Sequence, residues 1–216
     1  LAPSDGWLDR PLTIRAAPGA DVLVSGADLV TEWVYDPERE SWSCPLAPEV
    51  LEQPCARAVD EGGEEVPGSG NMPPSQISAE YPMAGHAEQV KVDGRPLTQR
   101  TADEVAELGG RTEFCRELDR GRLHIGVDPT GAEVEVSMRS RALLLGPGAR
   151  GSRIEGIRLA DFAPIHDLGK ATLVSDAEDV ELIDLTISGS AATGVSVNKP
   201  GNLVRGVSVL DAGAVG

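Results

Sequence analysis

Along the C-terminal third of the chain, two short runs of alternating apolar and polar residues recur, separated each time by a Gly/Asp/Pro-rich bend. In "LLLGPGARGSRIEGIRLADF" the anchors Leu145 and Ile154 are nine residues apart. The same spacing joins Leu173 to Leu182 in "TLVSDAEDVELIDLTISGS" and Val195 to Val204 in "GVSVNKPGNLVRGVSVLDAG". Past the second anchor, Ile157 and Leu159, then Leu185 and Ile187, then Val207 and Val209 repeat the alternation, with Arg158, Thr186 and Ser208 on the opposite side. A period of two predicts short strands with one buried face. The unit recurs after 28 and then 22 residues. Short strands with polar corners at a period near 22 predict a β-solenoid. A leucine-rich repeat would need its L-x-x-L-x-L frame and a helical arm, and a propeller blade needs about 40 residues. The pattern therefore predicts an all-β parallel β-helix.

"PLTIRAAPGADVLVSGADL" carries the same spacing, with Ile14 and Leu23 nine apart across "AAPGAD". This predicts a first rung over 1–26, an inserted β-rich subdomain over 27–141 and further rungs over 142–216. The closing "GNLVRGVSVLDAGAVG" reads as another rung without a polar cap, so the expectation is a β-helix truncated at its C-terminal end. Within the insert, "DEGGEEVPGSGNMPPSQ" predicts a mobile loop near 60–76. "EQVKVDGRPL" predicts a hairpin turning at Asp93-Gly94. "TADEVAELGG" predicts a helix capped by Thr101 and Glu104 and stopped at Gly109 or Gly110. "TEFCRELDRGRLHIGV" predicts strand, turn and strand, and "AEVEVSM" a further strand.

The 216 residues include 35 Asp+Glu against 19 Lys+Arg, a formal charge of -16, and only 3% aromatics. The core must then be stacked aliphatics. The charge argues against nucleic acid and anionic membranes as partners, which an acidic surface repels. No apolar run approaches the roughly 18 residues of a membrane span, so membrane insertion is not expected. Cys44, Cys55 and Cys115 lack zinc-site spacing. Cys44 and Cys55 can pair in an exported protein, or all three can stay thiols.

"PLTIRAAPGADVLVSGADLV", "EQVKVDGRPLTQ", "GRLHIGVDPTG" and "RIEGIRLADFAP…ATGVSV" together resemble the bacterial right-handed parallel β-helix repeat proteins of the pectate-lyase-like superfamily. They are most similar to secreted or cell-envelope members with a β-rich insertion after the first coil. The resemblance implies that handedness, a secreted or cell-envelope location, and handling of a polysaccharide or oligosaccharide at the outer face by a lyase, a glycoside hydrolase or a non-catalytic binder. A leader peptide is not visible in this sequence.

In a β-helix, equivalent outward residues lie about 4.8 Å apart on successive rungs. Asp161, Gly189 and Asp211 fall in one column past the strand, which puts the two carboxylates about 9.6 Å apart. That is near the upper end of the roughly 6.5–9.5 Å separation in inverting glycosidases. Carboxylates there can also hold Ca²⁺, or simply make corners. "DFAPIHDLGK" is the six-residue excess of the longer repeat and concentrates Asp161, His166, Asp167 and Lys170. A lyase needs a base beside a uronate and a cation for the developing charge; His166 or Lys170 is the candidate base, a solvated loop the alternative. His124 in "RLHIGV" is expected to point outward, and His86 to sit at a loop end. Trp33 and Trp42 either stack on sugar rings or fasten the insert to the first rung. Arg139, Arg141, Arg150, Arg153 and Arg158 form either a basic strip for an acidic glycan or counter-charges to an acidic face. Leu185 is expected in the core.

Overall fold

The computed structural model describes residues 7–46, 80, 83–117, 120–164 and 170–213. The segment expected as a mobile loop near 60–76, Cys55 and His166 lie outside them. The chain divides into two compact units, one formed by Leu1–Ala27 with Arg139–Gly216, the other by Asp28–Met138.

The first unit consists of three parallel four-stranded sheets, consistent with a β-helix. The first sheet holds Trp7–Leu8, Leu143–Leu145, Leu173–Ser175 and Val195–Val197. The second holds Thr13–Arg15, Arg153–Glu155, Glu181–Ile183 and Leu203–Arg205. The third holds Leu23–Ser25, Arg158–Ala160, Thr186–Ser188 and Ser208–Leu210. Each pass of the chain visits the sheets in the same order, so a residue's lateral neighbours are its counterparts one pass away. Ile14, Ile154, Leu182 and Val204 are in register, as are Val24, Leu159, Ile187 and Val209.

The two middle passes bury these columns completely: Ile154, Leu159, Leu182, Leu185 and Ile187 are at most 1% exposed. Each such side chain contributes roughly 1.5–3 kcal/mol by leaving water. In the outer passes, Val24 and Val204 are 41% and 47% exposed, because each has a stacked neighbour on one side only among the described residues.

Two registers differ from the sequence pattern. Leu145 pairs with Ser175, and Leu143 is the partner of Leu173. The bend after Leu145 contains a 3₁₀ turn, Pro147–Ala149, and is two residues longer than its counterpart after Ser175. A shift of two keeps the same residues facing inward, so Leu145 stays fully buried. Ile14, expected as a counterpart of Leu145, instead aligns with Ile154, and Leu23 aligns with Arg158. The bend "AAPGADV" imitates "GPGARGS" in composition, but it joins the second sheet to the third rather than the first to the second.

The second unit is built from non-local pairs. Its five-stranded sheet runs Val34–Asp36, Ser41–Pro45, Arg122–Ile125, Glu113–Glu117, Thr98–Arg100, antiparallel except for the last pair. A four-stranded sheet orders Ala27–Leu29, Val134–Ser137, Val90–Val92 and Arg95–Pro96. Cys44, Val90, Phe114, Leu123, Ile125, Val134 and Val136 form its core. The hairpin turns at Asp93 and Gly94, with φ of 48° and 72°. This pair of positive values is what Asp-Gly supplies in a two-residue loop.

The helix expected over "TADEVAELGG" is a single 3₁₀ segment, Ala102–Glu107. Its start is as expected: the Glu104 carboxylate accepts from the Thr101 N–H (2.9 Å) and from the Thr101 hydroxyl (2.8 Å). It stops early because Leu108 is drawn into full burial and the Gly110 N–H donates to the Gly126 carbonyl rather than back into a helix.

Candidate functional site

Outward positions of the third sheet line up as Arg158, Thr186 and Ser208. Just beyond them Asp161, Gly189 and Asp211 form a corner column, with φ of 59°, 60° and 53°. The Asp161 N–H donates to the Ser188 carbonyl (3.0 Å) and the Gly189 N–H to the Leu210 carbonyl (3.1 Å), so the corner stays in the ladder. Asp, Asn and Gly are the residues that enter this left-handed region readily, which explains the residue types here without any catalysis. Gly156, Asp184 and Gly206 do the same at a second corner, at 68°, 50° and 64°.

Of the sequence candidates, Asp161 and Asp211 therefore share one column, two passes apart. Lys170 is half-buried where the next pass begins. His166 and Asp167 lie outside the described residues, so no contact among His166, Asp161 and Lys170 is defined. The loop that carries them is anchored at its start by Phe162, which is 1% exposed and packs in the core of the first unit. Gly26 is required opposite it, because any Cβ there would overlap Phe162 and the Asp161 carbonyl.

Three arginines of the proposed strip are occupied. Arg150 pairs with Glu178 (3.3 Å) and Asp179 (2.6 Å), Arg153 with Glu155 (2.9 Å) and Glu181, and Arg158 with Asp21 (2.9 Å). Arg153 and Glu181 are direct ladder partners. These side chains neutralise an acidic face, and the strip offers little free positive charge from them to an acidic glycan. No group of three or more His, Cys, Asp and Glu residues lies together in metal-binding arrangement among the described residues.

In the second unit, His124 overturns the expectation of an outward residue: it is 1% exposed. Its Nδ1 lies 3.3 Å from the Ser41 hydroxyl and its Nε2 3.2 Å from Glu117. Arg39 and Arg120 also approach that carboxylate. Burial pushes the His124 pKa below its ordinary value, with Glu117 opposing. Alternation alone missed this network because both faces of the five-stranded sheet are covered. The signal available was "SWSCP", where Ser41 and Ser43 alternate with Trp42 and Cys44. Cys44 and Cys115 are buried thiols pushed up by desolvation to about 11 and about 12, so neither is a poised nucleophile. Trp33 and Trp42 pack against the core of their own unit, and His86 lies 3.8 Å from Glu88.

No protein-family model matches the chain, and no curated protein matches it. Among solved structures, the chain is similar to one described as the complex of XylC with xylose, with a TM-score of 0.60 at 16% identity. The match covers 86% of this chain and 32% of that one, so the chain spans about a third of that protein's length. The likeness supports a β-helix fold for this chain.

Proposed function

We propose that the chain is a right-handed β-helix protein of secreted or cell-envelope type that engages an extracellular polysaccharide. In this reading residues 1–26 and 142–216 supply rungs, and 27–141 an insertion after the first coil. The observation that carries it is the set of three in-register parallel sheets, which repeats outward polar positions at a fixed spacing. Such a rigid ladder suits a ligand that is itself a repeating chain. The XylC complex with xylose adds a sugar-bound relative of the same fold; fold likeness alone does not transfer an activity.

A catalytic reading, as lyase or glycoside hydrolase, draws on Asp161 and Asp211 sharing one corner column. Ca²⁺ is the cation whose oxygen-ligand chemistry suits such carboxylates. Both readings are tested by incubating the protein, with and without Ca²⁺, with neutral and uronate-containing polysaccharides. Ultraviolet absorbance, new reducing ends and retention on immobilised glycan are followed together. Retention without products supports a binder. Absorbance rising with reducing ends supports a lyase using His166 or Lys170, and reducing ends alone a hydrolase using Asp161 and Asp211. Neither retention nor products across the panel overturns the carbohydrate reading.

A further inference from the structure

The second unit contains a cleft of about 320 Å³ lined by Val30, Thr31, Trp33, Trp42, Thr130 and the backbone of Gly131, with Pro129 and Ala132 completing its wall. We propose that it is a binding site for one or two rings of a neutral pyranose sugar. The inference rests on the carbohydrate reading above and gives that reading a location and a ligand class.

Four features point to a sugar. The first is size: the volume sits at the small end of the roughly 300–1,000 Å³ typical of ligand sites. The second is that two of the chain's three tryptophans share this one cleft. Both are half-buried, so each is fixed by packing on one side and open on the other. A pyranose presents axial C–H groups on its flat face, and an indole ring is the complementary apolar surface.

Third, the rings are held in place before any ligand arrives. Trp33 Nε1 donates to the Val30 carbonyl (2.9 Å). Trp42 is cross-strand partner to Tyr35, with ring centroids 5.2 Å apart and planes at 55°. The facing wall is a hydrogen-bonded turn, with the Ala132 N–H donating to the Pro129 carbonyl (3.1 Å) and Gly131 at φ 77°. The Asp128 carboxylate accepts from the Thr130 N–H (2.9 Å) and braces that turn from behind. Preorganisation of this kind removes ordering costs from binding.

The fourth feature sets the ligand class. The lining carries two threonine hydroxyls but no charged side chain, although the chain as a whole has a formal charge of -16. Hydroxyls at the rim match the equatorial hydroxyls of a sugar. A carboxylate-bearing sugar would find no cation here and would be repelled by the surrounding surface.

The test uses the whole chain. Intrinsic tryptophan fluorescence and calorimetry follow titration with neutral xylo- and gluco-oligosaccharides and with oligogalacturonate. The expected result is a fluorescence change with the neutral series, binding at least tenfold weaker in Trp33→Ala, and binding abolished in Thr130→Trp. Thr130 is exposed, so this second variant fills the cleft without disturbing the core, and unchanged circular dichroism guards against misfolding. Neutral-sugar binding that Thr130→Trp leaves intact overturns the site while sparing the carbohydrate reading. A preference for oligogalacturonate overturns the neutral class. No binding by any oligosaccharide overturns the site, and with retention also absent on immobilised glycan the carbohydrate reading falls with it.

Discussion

In the first unit, the residue beside Leu182 in the ladder is Ile154 on one side and Val204 on the other, 28 and 22 positions away in the chain and of the same chemical kind. In the second unit, the strand Arg122–Ile125 lies between Ser41–Pro45 and Glu113–Glu117, and its neighbours are chemically unlike it. The first unit keeps its charged groups outside, paired along the ladder. The second buries Ser41, Ser43, Arg116 and His124 and must satisfy them from distant segments. A stack of like passes sets up one pattern and reuses it, so its polar groups never need a special partner inside. A sheet covered on both faces has to find one for each buried polar side chain.

The sharpest way to break the comparison is Leu185→Asp. Leu185 is 1% exposed between passes with no polar partner in its column, so the variant is expected to lose at least about 4 kcal/mol, read as a lowered urea midpoint. A parent-like melt would show that the columns do not carry the stability of the first unit. Next in size are Leu182→Ala and Leu123→Ala, one from each core. Each is expected to cost about 2–5 kcal/mol. Hydrogen exchange should place the first loss in residues 142–213 and the second in 28–138; both variants loosening the same amides would erase the distinction between units.

Gly206→Ala forces a Cβ at φ 64° and into the Asp184 carboxylate of the preceding pass. A loss of about 1–2 kcal/mol is expected. Asp184→Gly, at φ 50° in the same column, should change stability by less than about 0.5 kcal/mol. Similar losses for the two would show that the corner is not a backbone device.

The second unit should also respond to acid through His124. Its folded pKa is lowered by burial, so the unfolded chain takes up the proton first. Stability is therefore fully present above pH about 6.5 and falls as the pH drops below it. His124→Gln should flatten that part of the stability–pH curve; an unchanged curve would mean the histidine is already charged in the fold. The smallest effect is Arg153→Ala on the outer ladder, where the ion pairs to Glu155 and Glu181 are solvent-exposed. No measurable shift in melting temperature is expected at 0.15 M salt.

What could be read from the sequence followed the same division. Ile154, Leu182 and Val204 announced themselves because their neighbours are local copies, and alternation sufficed to face them inward. Ile14 was misaligned because two bends of similar Gly-Pro composition do different work. His124 was misread because alternation reports a strand's two faces but not whether the second is covered, which depends on chain returning from far away. The corner role of Asp161 and Asp211 became evident only from their φ values, since the same residue type serves a turn and an acid. The cleft between Trp33 and the turn at Gly131 joins segments about 100 positions apart. No local pattern encodes that distance.

One corner has a consequence for how such a chain can change length. Between the third sheet of one pass and the first sheet of the next, the segment after Ala160 runs six residues longer than the one after Ser188. All three ladders nevertheless stay paired on both sides of it. Added residues leave at the corner and return to the same column, so the core does not sense the insertion. Such a corner is a natural cloning site: peptides or small domains grafted between Phe162 and Lys170 should be displayed outward while the stack beneath them assembles unchanged.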